Sequence, residues 1–393
     1  MKQEQQKYKV AILVNIIAPY RVPIYKLIGS FFDLSIFYGG QEQNRTSWQN
    51  VEKKLSGINI KRSWGLTLSF RQRINNGVYD YKFVHLTPGY FFDLLRYNPD
   101  AVITNEMGFR TLVALLYGTI LHKPVWVYSG VTLHTERSIG LLKKALRWLI
   151  SHWAKHWISY GETATEYLLS LGIHRERILQ LQNCVDEQLY LQSAVPAVNL
   201  ESKPVFLYVG QLIRRKGVDK LLEAAARLQQ EGHHFSLLLV GSGAEKESLE
   251  TLAQKLGLQN VHFYPAQSPE AMPSIYRSAN CLVFPTLDDP WGLVVNEALW
   301  SGMPVLSSKY AGCAKELLPS ENIFDPLNLD DFVGALARAL AGQIAPPDQS
   351  RLKTCGEVAD LVVNDIRVCL GINDTSVAQP ITKNQALNKG ISS

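Results

Sequence analysis

Short apolar runs alternate with longer stretches of mixed polarity along most of the chain. Residues 9–14, 34–38, 100–104, 124–128, 157–160 and 178–183 are runs of β-branched, aromatic and aliphatic residues, and each reads as a buried strand. Between them, apolar positions recur at helical spacing: from about Ile24, then over 91–97, 109–121, 141–157 and 162–171, the last ended by Gly172. The alternation restarts at residue 204. Strands are expected at 204–209, 236–240, 261–264, 281–286 and 304–306. Helices are expected up to Gln230, up to about Leu256, and over 273–279, 297–302, 329–341 and 358–370. Such alternation predicts an α/β chain with parallel sheets and helical crossovers. Residues 39–83 break the rhythm: they are polar, carry Trp48 and Trp64, and read as loops and a hairpin.

A length of 393 residues with 46% hydrophobic and 19% charged residues suits two globular domains, each large enough for its own core. The stretch 193–203 lacks periodicity and reads as the linker between a domain at 1–192 and one at 204–350. Residues 351–371 are expected to form a final helix. Residues 372–393 are polar and expected to be disordered. The net charge of +5 is too mild to argue for nucleic acid, but it suits phosphate-bearing substrates or an anionic membrane surface. The 5 cysteines are scattered without a Cys-x-x-Cys, so neither a metal site nor a disulfide framework is expected. The first residues are polar and the apolar run after them is short. No signal peptide or spanning helix is expected, and a cytoplasmic location fits.

The stretch Asp289-Pro-Trp-Gly-Leu-Val-Val-Asn-Glu297 places one acid in a strand-to-helix turn and another on the helix that follows. Gly292 allows close backbone approach, and the helix start offers free N–H groups to an anion. Amides for phosphate and carboxylates for hydroxyls suit a phosphorylated sugar ligand. A second candidate is the loop Gly210-Gln-Leu-Ile-Arg-Arg-Lys-Gly217, with three cations bounded by glycines at a strand's carboxyl end. Its plainer reading is a solvated basic turn. Gly241-Ser-Gly243 is another glycine turn after a strand, weak by itself. The first strand's loop, Asn15-Ile-Ile-Ala-Pro-Tyr-Arg-Val-Pro23, lacks a Gly-x-Gly-x-x-Gly, and its Arg21 is either a phosphate or acceptor contact or a surface charge. His134 follows another strand end, where ligands bind, though a lone histidine is more often structural. Over 141–157, Lys143, Lys144, Arg147, His152 and Lys155 mix with Leu142, Leu146, Leu149, Ile150 and Trp153. That mixture suits either an anionic membrane surface or a helix packed on its own sheet with a solvated basic face.

The stretch from Asp289 to Ala298, continued by Gly302-Met-Pro-Val-Leu306, resembles the Glu-x7-Glu motif of retaining glycosyltransferases of family 4. It is similar in particular to the variant reading Glu-Pro-Trp-Gly-Leu-Val-Val-Asn-Glu-Ala. Ala18-Pro-Tyr-Arg-Val-Pro23 resembles that variant's opening loop, Asn183-Cys-Val-Asp186 its Asn-Gly-Val-Asp, and Tyr310-Ala-Gly-Cys-Ala-Lys-Glu316 its glycine loop followed by Glu. The resemblance implies a GT-B fold: two facing Rossmann-like domains, the first for the acceptor, the second for the donor, and a final helix crossing back to the first. It implies transfer of a sugar, with retention, from a nucleotide-diphosphate sugar to a hydroxyl on a glycan or lipid-linked acceptor. Glu297 would then hold ribose hydroxyls and Asp289 sugar hydroxyls. The amides of Gly292 and Leu293 would approach the phosphates, with Lys216 stabilising the leaving charge. Gly210, Gln211, Arg215, Gly241, Gly243, Glu316, Arg21 and His134 would complete the substrate contacts. No Asp-x-Asp pair stands out, so no metal or other cofactor is predicted. Three positions depart from the pattern: Asp289 for Glu, Gln211 for Arg and Cys184 for Gly. The first two keep open a catalytically silent subunit of this fold. A nucleotide-sugar epimerase or hydrolase of similar fold is the other alternative.

Overall fold

A computed structural model describes residues 7–40, 51–74 and 78–372. Of the tail expected over 372–393, all but Ile372 lies outside the described residues, as does Trp48.

The first domain grows outward from β1 (Lys9–Val14). It is followed by α1 (Val22–Phe31), β2 (Asp33–Tyr38), β3 (Asn59–Arg62), the antiparallel hairpin β4 (Leu66–Ile74) and β5 (Val78–Leu86), and α2 (Gly89–Tyr97). Then come β6 (Ala101–Asn105), α3 (Phe109–Leu121), β7 (Val125–Ser129), α4 (Leu141–Trp153), β8 (His156–Ser159), α5 (Glu162–Ser170), β9 (Ile178–Gln180) and α6 (Glu187–Leu191). The strands form a parallel sheet in the order β3-β2-β1-β6-β7-β8-β9. Alternate residues of β1 feed opposite faces: Val10, Ile12 and Val14 enter the core on one side, Ala11 and Leu13 the core on the other.

The second domain repeats the plan: β10 (Val205–Val209), α7 (Val218–Gln230), β11 (Ser236–Val240), α8 (Lys246–Lys255), β12 (Val261–Tyr264), α9 (Met272–Tyr276), β13 (Cys281–Phe284), α10 (Leu293–Trp300), β14 (Val305–Ser308), α11 (Ala314–Leu317), β15 (Ile323–Phe324), α12 (Leu329–Leu340) and α13 (Cys355–Cys369). Its strands pair in parallel in the order β12-β11-β10-β13-β14-β15. In each sheet the order reverses beside the first strand, at β1/β6 and at β10/β13, which opens a crevice for ligands at the strands' carboxyl ends.

Several expected elements change. The helix expected over 141–157 stops at Trp153, because β8 already begins at His156. The helix expected from 297 begins at Leu293, directly after Gly292. The last helix, Cys355–Cys369, lies within the expected 351–371 and begins three residues ahead of the periodic run at 358–370. Thr354 and Glu357 form a reciprocal capping box there, satisfying two backbone donors. β3 was not expected as a strand; it is a polar edge strand with little apolar signal. Residues 193–203 connect the domains, but α6 precedes them and its Tyr190 already packs in the second domain's core. The connecting stretch is tied to that domain as well: the amides of Ala197 and Val198 donate to Ser274 O and Ser278 Oγ at 3.1 and 3.0 Å. α13 returns to the first domain, where Val358, Val362, Val363 and Ile366 join the core shared with α1. The two crossings meet at Cys184 and Cys355, whose sulfurs lie 3.8 Å apart as free thiols. Among the described residues no helix is long and apolar enough to cross a membrane.

Candidate active site

The loops after β10 and β13 meet at the switch point of the second sheet. The first turns through Arg214–Lys216 and the second through residues 285–292. Their backbones are tied: Leu287 N donates to Arg215 O at 2.8 Å, and Thr286 Oγ1 to the same oxygen at 3.2 Å. Arg215 Nη1 donates to Asp288 O at 3.0 Å. This lattice brings Lys216 onto Asp289, with Nζ paired to Oδ2. Their side chains are only 11% and 12% exposed. Lys216 Nζ also lies 5.2 Å from the centre of the Phe284 ring. The other oxygen of Asp289 accepts from Trp291 N at 3.0 Å. Burial by itself would push the Asp289 carboxyl up. The Lys216 charge and hydrogen bond and the Trp291 amide outweigh it and hold the carboxyl below its usual range.

Gly292 has φ 107 and caps α10, and a Cβ there would stand 2.6 Å from the Phe284 ring. The first turn of α10 therefore opens directly from the Lys216–Asp289 pair, with Leu293 half-buried at its start. Beyond it, Trp291 Nε1 donates to Asn296 Oδ1 at 2.9 Å, and Asn296 Nδ2 to Asn183 O at 3.1 Å. This buried relay fixes the turn against the point where the chain crosses between domains. An asparagine inside the apolar run Leu293-Val-Val-Asn-Glu-Ala-Leu-Trp300 was its only sequence signal.

Glu297 sits on the half-buried side of α10. Its Oε2 accepts from Tyr276 Oη at 2.7 Å. Burial pushes its carboxyl up to about 7, against hydrogen bonds from Tyr276 and Tyr190 that pull the other way. These tyrosines, from α9 and α6, carry no motif and were missed in the sequence.

The remaining predicted residues divide. Gly210 and the Gly241–Gly243 turn bind each other: Gly210 N donates to Val240 O at 3.0 Å, Leu212 N to Ser242 O at 2.9 Å. A Cβ on Gly241 would run into the Gly210 carbonyl oxygen, so the glycine serves loop packing at the rim of the site. Gln211 points its side chain to solvent while its carbonyl accepts from Tyr208 Oη at 2.8 Å. His134 reaches across from the first domain: its Nε2 lies 2.8 Å from Leu287 O and its ring stacks on Tyr310 with centres 4.6 Å apart. A carbonyl only accepts, so Nε2 carries the proton. Glu316 has first-domain partners on both oxygens, Glu162 N at 2.9 Å and Gln182 Nε2 at 3.0 Å. Its carboxyl is raised by burial, and it works as a bridge between the domains. Arg21 stands apart from this group, buried in the first domain with Nη1 donating to Tyr128 Oη at 2.6 Å.

Known proteins share this architecture. Residues 194–357 match the family model for Glycosyl transferases group 1. Lipopolysaccharide glucosyltransferase WaaG of Escherichia coli (strain K12) is 31% identical over 144 residues, 36% of this chain and 38% of that protein. The chain thus spans well under half the length of this curated relative. The solved structure of lipopolysaccharide outer core galactosyltransferase WaaB in its apo form superposes with TM-score 0.64 at 18% identity, covering 92% of this chain and 95% of that one. Anabaena Alr3699/HepE, solved with UDP and glucose, gives TM-score 0.64 at 17% identity over 92% and 97%. Two facing parallel-sheet domains, a helix that crosses back, and these superpositions assign the GT-B fold, and the match to the group 1 family model lies within its second half.

Proposed function

We propose that the chain is a family 4 retaining glycosyltransferase. It moves a sugar from a nucleotide-diphosphate sugar to a hydroxyl on a glycan or lipid-linked acceptor. The observation that carries this reading is the buried Lys216–Asp289 pair at the switch point, beside the open start of α10 and under His134. Breaking the sugar–phosphate bond puts a negative charge on the leaving diphosphate. Lys216 and the α10 amides are fixed in advance to stabilise that charge, and such preorganised electrostatics is usually the largest catalytic term. Asp289 holds Lys216 in place and offers its carboxylate to sugar hydroxyls. Exposed Arg214 and Arg215 supply positive charge beside the position where Gln211 brings none. Retention without an enzymic nucleophile implies front-face attack, the leaving phosphate taking the acceptor's proton. Nothing in this scheme calls on a metal.

Thermal-shift measurements against UDP, GDP, ADP, dTDP and their sugars test it. UDP is the first choice, since the HepE structure holds it. One nucleotide is expected to raise the melting temperature, and its sugar form to add a shift that Asp289→Asn loses. If no nucleotide stabilises the protein, the donor reading fails. Stabilisation without turnover for any acceptor would mark a silent subunit.

The acceptor side carries a related proposal: α4 rests on an anionic membrane surface, at the cytoplasmic face. Ile150 packs in the first domain's core with Leu146 and Trp153 against it, yet a second set of apolar residues faces outward. Arg147 is buried, paired with Glu136 at 2.9 Å, while Leu141, Leu142 and Trp148 are 83%, 87% and 62% exposed. Lys144 and His152 are exposed beside them, and Lys143, paired with Glu136 at 2.8 Å, is half exposed. Exposed apolar side chains beside lysines match the interface of an anionic bilayer. Co-sedimentation with phosphatidylglycerol vesicles is expected, falling at least about fivefold in a Leu141→Ser, Leu142→Ser, Trp148→Ser variant. Equal sedimentation of the two proteins would sink this proposal.

A further inference from the structure

Cys184 stands where the motif that residues 183–186 resemble has glycine, and the sugar-transfer reading gives it no role. The fold places it at a boundary. Leu181 and Cys184 pack in the first domain's core, and the next residue, Val185, packs in the second domain's. On the return, Leu352 belongs to the second core and Cys355 to the first. The outgoing crossing therefore leaves the first domain at Cys184, and the returning crossing re-enters it at Cys355. Their sulfurs lie 3.8 Å apart. The crossings are also tied directly: Cys355 Sγ donates to Val185 O at 3.2 Å, and Cys355 N to Glu187 Oε2 at 3.0 Å. Cys184 is fully buried and Cys355 is 4% exposed.

Two thiols in contact, 171 residues apart in sequence, can become one covalent link. A disulfide needs its sulfurs roughly 1.8 Å nearer than these stand, a distance that rotation about the two Cα–Cβ bonds spans. We propose that Cys184 and Cys355 are an oxidation site, which a peroxide converts to a disulfide that staples the two crossings together. One sulfur attacks the peroxide: its S–O bond forms, the O–O bond breaks, and hydroxide leaves with the thiol's proton as water. The other sulfur then attacks this sulfenic acid: the S–S bond forms, the S–O bond breaks, and a second water leaves. Two thiols are oxidised and one peroxide is reduced, so the step balances. Hydrogen peroxide, close to water in size, suits a buried pair better than a bulky disulfide oxidant. The hydrogen bond with Cys184 and burial push the Cys355 thiol well up, so the pair is inert while the crossings are closed. Opening of the crossings is the gate. The link closes a loop that contains the whole second domain, and constraining so long a loop in the unfolded chain favours the folded one. The inference is independent of the sugar-transfer reading, so either can fail alone.

The test is oxidation of the full chain by hydrogen peroxide, quenched with a maleimide and followed by peptide mapping. A peptide pair joined through Cys184 and Cys355 is expected. It should form more slowly than exposed Cys369 oxidises, and at least about fivefold faster in urea held below the unfolding transition, because opening is the gate. The linked protein is expected to melt about 5 °C higher and to lose that gain on reduction with dithiothreitol. Cys184→Gly, which carries the motif's usual residue, is expected to show neither the link nor the gain. The proposal is overturned if, even in that urea, Cys184 and Cys355 stay as thiols or oxidise separately to sulfinic acids once Cys369 has fully reacted. A melting gain that persists in Cys184→Gly also overturns it. Should Cys184→Gly fail to fold, the wild-type peptide map decides alone.

Discussion

Replacing Lys216 by methionine is expected to lower turnover by about two to three orders of magnitude, the usual cost of removing a preorganised charge from a group-transfer site. It should also lower the melting temperature, because Asp289 would be left as a buried carboxylate without its cation. Breaking a buried ion pair from one side costs about 3–5 kcal/mol. The two effects have different origins and can be separated. Lys216→Met combined with Asp289→Asn removes both charges, so the desolvation penalty disappears. Asn keeps an oxygen for the Trp291 amide that now binds Asp289 at 3.0 Å. The double variant is therefore expected to regain most of the lost stability and none of the turnover. Rate and melting temperature, measured on the same three proteins, check this. Turnover that returns together with stability would mean Lys216 only braces the loop. A single variant within tenfold of wild type would remove it from the chemistry altogether.

The sequence displayed the sheets well, because strand cores such as 205–209 and 236–240 are buried on both faces and read as unbroken apolar runs. It displayed the Asp289–Glu297 stretch for the same reason: strand, turn and helix are contiguous there. What it hid were pairings between distant segments. Lys216 and Asp289 lie 73 residues apart and were read as separate ligand contacts, one for phosphate and one for sugar; in the fold each is the other's partner. Glu316 was read as a substrate contact, and its oxygens meet Glu162 and Gln182 of the first domain. Composition could not show which face of residues 141–153 packs. Arg147 turns inward because Glu136, outside the helix, waits for it; Leu146 and Ile150 pack on the first domain while Leu141, Leu142 and Leu149 are left outside. Arg21, one of the strongest features of the first domain, offered only a residue type in a loop; its burial comes from Tyr128 and Tyr160, more than a hundred residues away.

If Glu297 takes the ribose role that the resemblance implies, it is expected to tie stability and nucleotide binding to pH in opposite senses. Its carboxyl ionises at about 7 in the folded chain, against an ordinary 4.5. Between those values the folded chain holds a proton that the unfolded chain has released. Raising pH through this window therefore favours unfolding, and stability falls from about pH 4.5 to about 7, then levels once both states are ionised. The full change is on the order of 3 kcal/mol, at 1.36 kcal/mol per unit. Glu297→Gln removes the titration while keeping a hydrogen-bonding group beside Tyr276. It is expected to flatten the stability profile and to be more stable than wild type at pH 8. Nucleotide binding should run the other way. Ribose hydroxyls donate best to the ionised carboxylate, so donor affinity is expected to rise as pH passes 7, and binding near pH 7 to release roughly half a proton. Calorimetry in buffers of different ionisation enthalpy counts that proton, and chemical denaturation at pH 5, 7 and 8 follows the stability. A Glu297→Gln enzyme that keeps the wild-type pH dependence of nucleotide affinity would take Glu297 out of the donor site. Tyr190 and Tyr276 would then be the reason for its burial.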